Sequence, residues 1–383
     1  MAIRFLTAGD SHGEGLLAII EGLPAGVKID ERVIQAELGR RRKAYGRSSR
    51  QKIERDTVTL LGGIWKGRTT GAPIGIHLPN LARTVQGKTG GALGTVPRPG
   101  HADFAGMMKY GFDEVPPVSE RASARSTVAR VAVGAIAKAF LKELKIDTIG
   151  HVLSIGAVDA PRAALAPLSP AAIRTRAGRS PVYCANAAAG RKMVEEIQRG
   201  KAEGNSLGGS AEVIVTGMFP GVGSYVEWDR KLDARLAGAM MSVHSVKAVE
   251  IGDGLASHRA RGVDAHDAMR LARGRVIRAT NHAGGIEGGM SNGEDIVVRV
   301  YAKPIPTAAR RAATFDMDTL KATEGPYVRS DICVIPVLAV IAESVAAWEI
   351  LAAVLEKLGG DTIGDTIAAR DRLLRAMTAR LKK

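Results

Sequence analysis

Four polar islands interrupt this aliphatic chain and limit what it can fold into. They are Gly9-Asp10-Ser11-His12-Gly13, Arg98-Pro99-Gly100-His101-Ala102-Asp103, the run from Asn281 to Gly293, and Arg329-Ser330-Asp331. Each mixes turn-forming residues with groups that hold or move protons. Such stretches lose much conformational entropy on folding and bury little apolar area, so they punctuate a framework rather than build it. Aromatic residues make up only 4% of the chain, which leaves Ala, Val, Ile and Leu to form the core; the 45 glycines imply many turns and close backbone approaches. Together the islands point to one composite site for an anionic ligand.

The charge balance agrees. Lys and Arg exceed Asp and Glu by 54 − 39 = 15, and a positive field favours anionic partners. Nucleic acid, a phosphorylated metabolite or cofactor, and a merely solvated basic surface all fit that excess. Two cysteines, Cys184 and Cys333, do not make a disulfide framework and suit a cytosolic setting. No CxxC or HExxH metal signature occurs. The N-terminal residues do not read as a signal peptide. The greasiest stretch, Ile335 to Leu358, carries Glu343, Glu349, Glu356, Lys357 and Trp348. Those residues predict a helix packed on a core or a subunit, not a membrane span.

Hydrophobic patterning predicts strands at Ile3 to Thr7, Thr57 to Leu61, Ile74 to Leu78, Ala211 to Thr216, Ala248 to Ile251 and Ile296 to Val300, with a further apolar run at Leu16 to Ile20. Helices are expected after the N-cap Asp30, from Ser123 to Leu144, within Gly190 to Glu203, from Asp229 to Met241 and from Asp361 to Met377. Residues 80–100 read as a loop, and Ala163 to Pro181 as irregular with short helices. Clean βαβ units and internal repeats are not visible. The expected class is α+β, one core with helices packed on antiparallel sheets.

His12 and His101 are the candidate proton carriers, because imidazole titrates near neutrality; either can instead be satisfying a turn. Gly9-Asp10-Ser11-His12-Gly13 also fits the G-x-S-x-G hydrolase pattern, which would make Ser11 a nucleophile, but only on a strand–elbow–helix. Asp103 would orient a histidine or cap the next segment. Arg40 to Arg50 holds six basic residues, Arg41 and Arg47 among them, and guanidinium forks match carboxylates and phosphates. Aromatic interleaving for nucleic-acid stacking is sparse there. Arg121-Ala122-Ser123-Ala124-Arg125 precedes a helix whose backbone N–H groups would hold phosphate or simply be capped by Ser123. The glycine island at 281–293 fits neither GxGxxG nor a P-loop, so it is either a backbone platform for a cofactor or a surface loop. Lys303-Pro304-Ile305-Pro306-Thr307 offers another anion contact. Asp331 would act as a base or pair with Arg329.

Taken jointly and in this order, with Ile20-Glu21-Gly22-Leu23-Pro24-Ala25-Gly26, these segments resemble the chorismate synthase family over almost the whole chain. The resemblance implies a lyase that converts 5-enolpyruvylshikimate 3-phosphate into chorismate and phosphate by 1,4-anti elimination, using reduced FMN without net redox change. It implies one catalytic unit, 1–383, folded as a β-α-β sandwich with helices between antiparallel sheets. A cytoplasmic homotetramer with no nucleic-acid or membrane partner is expected. Reduction of the flavin is expected from NADPH directly or from an external reductase. By the same resemblance, His12 assists the leaving phosphate, His101 lies near the reduced flavin, and Asp331 works in removal of the C6 hydrogen. Arg121, Ala122, Ser123, His244, Ser245, Gly288, Lys303, Pro304, Ile305, Pro306, Thr307 and Arg329 are the implied FMN contacts, and Arg41, Arg47 and Arg125 the anion contacts. No metal is implied. The chain departs from the family pattern at Asp10, Ser48-Ser49, Ser126, His244 and Ile332.

Overall fold

The computed structural model describes residues 3–47, 56–81, 93–272, 274–327 and 331–382. Its framework follows the α+β expectation. The strands β1 (Arg4–Gly9) and β2 (Gly15–Glu21) form a hairpin in which Gly9 faces Leu16. Helix α1 (Glu31–Lys43) follows, with the Asp30 carboxylate capping Arg32 N–H and four basic residues in its last turn. Both ends therefore complement the helix dipole. Strands β3 (Thr59–Leu60) and β4 (Ile74–Pro79) complete an antiparallel sheet of order β1-β2-β4-β3.

Two short helices, α2 (Asp103–Tyr110) and α3 (Pro116–Ala122), precede α4 (Thr127–Glu143). Then come β5 (Asp147–Ile155), β6 (Val158–Asp159), α5 (Pro170–Arg179), α6 (Ala187–Ala202), β7 (Gly209–Thr216), α7 (Leu232–Met241), β8 (Val246–Ile251) and β9 (Ile296–Ala302). The second antiparallel sheet has the order β8-β9-β7-β5-β6. Helices α8 (Ile335–Leu358) and α9 (Ile363–Leu381) end the chain.

Helix α4 touches β2 and β4 of the first sheet and β5 of the second, while α8 packs along α4, β5 and β7. Small residues permit this approach. A Cβ on Gly134 of α4 would lie 2.3 Å from the Ser344 Cβ of α8, and one on Gly150 of β5 would lie 2.3 Å from the Ala339 carbonyl oxygen. Helix α8 is long and apolar enough to cross a membrane, but here most of it is buried inside the protein. Its Glu343, 1% exposed, binds Arg40 of α1 at 2.9 Å and also Lys138 of α4. The ion-paired trio ties the three central helices together.

Most expected elements are present with shifted ends. Strand β5 and helices α2 and α3 were not expected. The patterning of β5 is obscured because Gly150 faces α8 while the fully buried His151 faces Glu212 across the sheet. A strand covered on both faces shows no alternation.

Candidate active site

The loop between β1 and β2 carries His12, and two other parts of the chain grip it. From one side, the Asn80 amide donates to the carbonyls of Asp10, Ser11 and Gly13 at 3.0, 3.3 and 2.9 Å. From the other, Arg121 donates to the Thr7 carbonyl and hydroxyl at 2.9 and 2.7 Å, and Ser123 Oγ donates to Ser11 Oγ at 3.1 Å. Ser11 is thus a 3% exposed residue in a hairpin loop, not on a strand–elbow–helix turn. That geometry removes the hydrolase reading of G-x-S-x-G.

Asn80 also connects this loop to a cluster of buried charge. Its Oδ1 accepts from Arg125 Nε at 2.9 Å. Arg125 pairs with Asp56, whose other oxygen lies 3.6 Å from Arg41 Nη1. Arg41 is further held by Thr127 Oγ1 and the Ala124 carbonyl. Arg47 pairs with Asp331 at 2.7 Å. Among the described residues, three guanidiniums therefore surround two carboxylates. Burial, then the proximity of Arg47 and Arg125, pulls Arg41 down to about 9 against the opposing pull of Asp56 and Asp331. Asp56 is lowered too: burial alone would raise it, but Arg125 and Arg41 outweigh burial. Arg41 Nη1 and Arg47 Nε are buried without a hydrogen bond among the described residues. A surplus of buried cation with unused donors suits an anionic ligand.

The second histidine sits in its own clamp. His101 Nδ1 is 2.5 Å from Asp103 Oδ1, and Arg98 binds the same carboxylate at 2.6 and 2.9 Å. Burial pushes Asp103 up, yet the hydrogen bonds from His101 and Arg98 outweigh it and hold the carboxyl well below its ordinary range. An ionised Asp103 keeps the proton on Nδ1, which leaves Nε2 as the working nitrogen. His244 lies within electrostatic reach of His101 and Arg121. Burial lowers its pKa, Arg130 and His101 reinforce this, and the Ala122 backbone opposes it. His244 Nδ1 is buried and lacks a hydrogen bond among the described residues.

The remaining contacts close a ring. The Ser245 carbonyl accepts from Lys303 N–H at 2.9 Å, and Lys303 Nζ donates to the Gly100 carbonyl at 2.7 Å. Pro306 approaches Gly100, and Pro304 approaches Gly208. Ser206 Oγ donates to the Ile305 carbonyl at 2.6 Å, Leu207 N–H bonds to the Ile332 carbonyl at 2.9 Å, and Ile332 N–H bonds to the Gly46 carbonyl at 2.9 Å, beside Arg47 and Asp331. The circuit thus runs from the His12 loop through Ser123, Ala122, His244, Ser245, Lys303, Ile305, Ile332, Asp331, Arg47, Arg41, Asp56, Arg125 and Asn80 back to His12. Thr307 continues the Lys303 segment.

Of the residues expected at the site, Gly288 alone among the described ones stands apart. Its hairpin is tied to the start of α7, where Leu232 N–H bonds to the Gly289 carbonyl, whereas His244 follows the end of that helix. Ten helical residues span about 15 Å. Arg329, Arg50 and Ser48-Ser49 lie outside the described residues, and so does any Arg329–Asp331 pairing. Asn80 and Asp56 join the site without having been expected from sequence.

The description "Chorismate synthase" matches residues 3–355. The chain belongs to the chorismate synthase family. It is 45% identical to the chorismate synthase of Leifsonia xyli, covering 95% of this chain and 94% of that one. It is also 45% identical to that of Desulforudis audaxviator, with 98% of each chain covered. A solved structure described as "Crystal Structure of Chorismate Synthase" superposes with a TM-score of 0.82 at 34% identity, over 99% of both chains. Chorismate synthases are flavin-dependent lyases of aromatic biosynthesis, and the reaction of this chain is conversion of 5-enolpyruvylshikimate 3-phosphate into chorismate and phosphate.

Proposed function

We propose that this reaction takes place inside the ring described above, with reduced FMN as the flavin. The observation that carries the reading is the gathering of Arg41, Arg47 and Arg125 in one buried cluster, where, among the described residues, Arg41 Nη1 and Arg47 Nε have no hydrogen bond. Substrate and FMN are both phosphorylated, and the substrate adds carboxylates, so the donor chemistry fits both. When bound, reduced FMN supplies transient electron density to the substrate as phosphate leaves.

The chain's own groups handle binding and protons. Arg41, Arg47 and Arg125 bind and orient the anionic substrate. His12 delivers a proton to the departing phosphate. The C3–O pair leaves with phosphate and the C6–H pair forms the new double bond, so no net oxidation occurs. Asp331, oriented by Arg47, receives the C6 proton. His101, oriented by Asp103, governs protonation at the flavin side. The 121–123 backbone, His244, Ser245, the Lys303–Thr307 segment and Arg329 would hold FMN. Gly288, distant within one protomer, faces open space and would reach the flavin from a neighbouring subunit of a homotetramer. Arg121 contributes through its backbone, since its guanidinium already serves Thr7 and Gly9.

One catalytic unit, 1–383, with a β-α-β sandwich architecture is supported by a single connected core running from Leu16 to Leu355. The free, buried state of both cysteines agrees with a cytoplasmic setting. Reduced flavin is supplied by an external reductase or by NADPH. The decisive assay is anaerobic turnover of 5-enolpyruvylshikimate 3-phosphate with chemically reduced FMN, following phosphate release and chorismate absorbance. Absence of both products under verified reducing conditions would refute the proposal.

A further inference from the structure

His12 does not hang freely from its loop. Glu120 of α3, 108 positions away in sequence, receives two hydrogen bonds from it: the backbone N–H of His12 reaches Oε2 at 2.7 Å, and ring Nδ1 lies 2.7 Å from Oε1. The Glu120 carbonyl accepts a third, from Ser11 N–H at 3.2 Å. The next residues of the same segment, Arg121 and Ser123, hold Thr7, Gly9 and Ser11. One short stretch therefore sets both the loop and the imidazole.

We propose that Glu120 is the positioning residue of His12. An ionised carboxylate only accepts hydrogen bonds, so the ring proton must sit on Nδ1. The Nε2 atom is then the one that meets the leaving group. The imidazole cannot swing without breaking the ring contact, and the backbone contact keeps the carboxylate beside it. His101 Nδ1 makes the same kind of ring contact with Asp103, which gives the chain two histidines with the same tautomer imposed by separate acids. The inference rests on His12 acting in the elimination.

The test uses the full-length enzyme with reduced FMN under anaerobic conditions. Glu120→Gln preserves shape, but its amide can accept from only one of the two His12 donors. The expected result is a fall in kcat of about 10- to 100-fold with substrate KM within about twofold, the range seen when an orienting partner is removed. In a His12→Ala background the same substitution should change kcat less than about twofold, because residues acting through one another are non-additive. Ring 15N signals of selectively labelled histidine, assigned by their loss in His12→Ala, should show protonated Nδ1 in the parent enzyme and a mixture in Glu120→Gln, with or without flavin. An equal rate loss in both backgrounds, an unaltered ring signal, or unchanged kcat in Glu120→Gln would overturn the assignment. Normal turnover in His12→Ala would instead remove His12 from the reaction, and this proposal with it.

Discussion

Asn80 is the joint between the His12 loop and the arginine cluster, and its replacement separates stability from catalysis. The side chain is 4% exposed. Its amide serves three loop carbonyls, and its Oδ1 serves Arg125 Nε. Asn80→Ala strips both functions. The Asp10 and Gly13 carbonyls can turn to water, but the Ser11 bond and the guanidinium contact are buried. Losing one buried hydrogen bond to a neutral group and one from a charged donor costs about 2–4 kcal/mol. Asn80→Asp keeps an acceptor for Arg125 while placing a negative charge against three carbonyl oxygens. The expected pattern is a large stability loss in the alanine variant and a smaller one in the aspartate variant. Turnover should fall in both by about tenfold or more, because a loop misplaced by about 1 Å already costs that much. Chemical denaturation gives the first quantity and anaerobic kinetics the second. Wild-type turnover in Asn80→Asp, or a stability change under about 0.5 kcal/mol in Asn80→Ala, would show that this residue is not the joint.

Three further outcomes test other parts of the argument. Gly134→Ala drives a methyl into Ser344 across the α4–α8 contact and should destabilise by about 1–3 kcal/mol, read as a lowered denaturation midpoint; an unchanged midpoint means the helices are not so close. Burial raises Glu343, but Lys138 and Arg40 outweigh burial and lower it from 4.5. A depressed carboxyl contributes stability that is present above its unfolded pKa and lost as pH falls through the folded one, so acid destabilisation should begin below about pH 4.5. Glu343→Gln leaves Arg40 and Lys138 with Glu37 alone; it should lose about 1–3 kcal/mol at pH 7 and show a shallower acid slope; parallel pH curves would count against the pairing. His101→Ala and Asp331→Ala should lose far more turnover than stability, checked by rapid anaerobic kinetics with circular dichroism as the folding control, and normal rates in either would take that residue out of the chemistry.

Local chemistry made much of this protein legible. Asp30 announces α1, the aliphatic face of Val128 to Phe140 announces α4, and the greasy run with sparse charge announces α8. The histidines and arginines stood out because they sit beside glycine and proline, where a scaffold has little use for them. The family resemblance then ordered those islands into one reaction. What short-range pattern could not carry was the partner of each group. Glu120, Asn80 and Asp56 resemble ordinary surface residues in sequence, and only long-range packing turns them toward His12, the hairpin loop and Arg125. Asp331 meets Arg47, 284 positions away. The residues determined the elements because propensity, capping and apolar periodicity act within a few positions. The tertiary structure alone decided which charges face one another, because the energy of a buried ion or proton depends on neighbours that the chain brings in from far away.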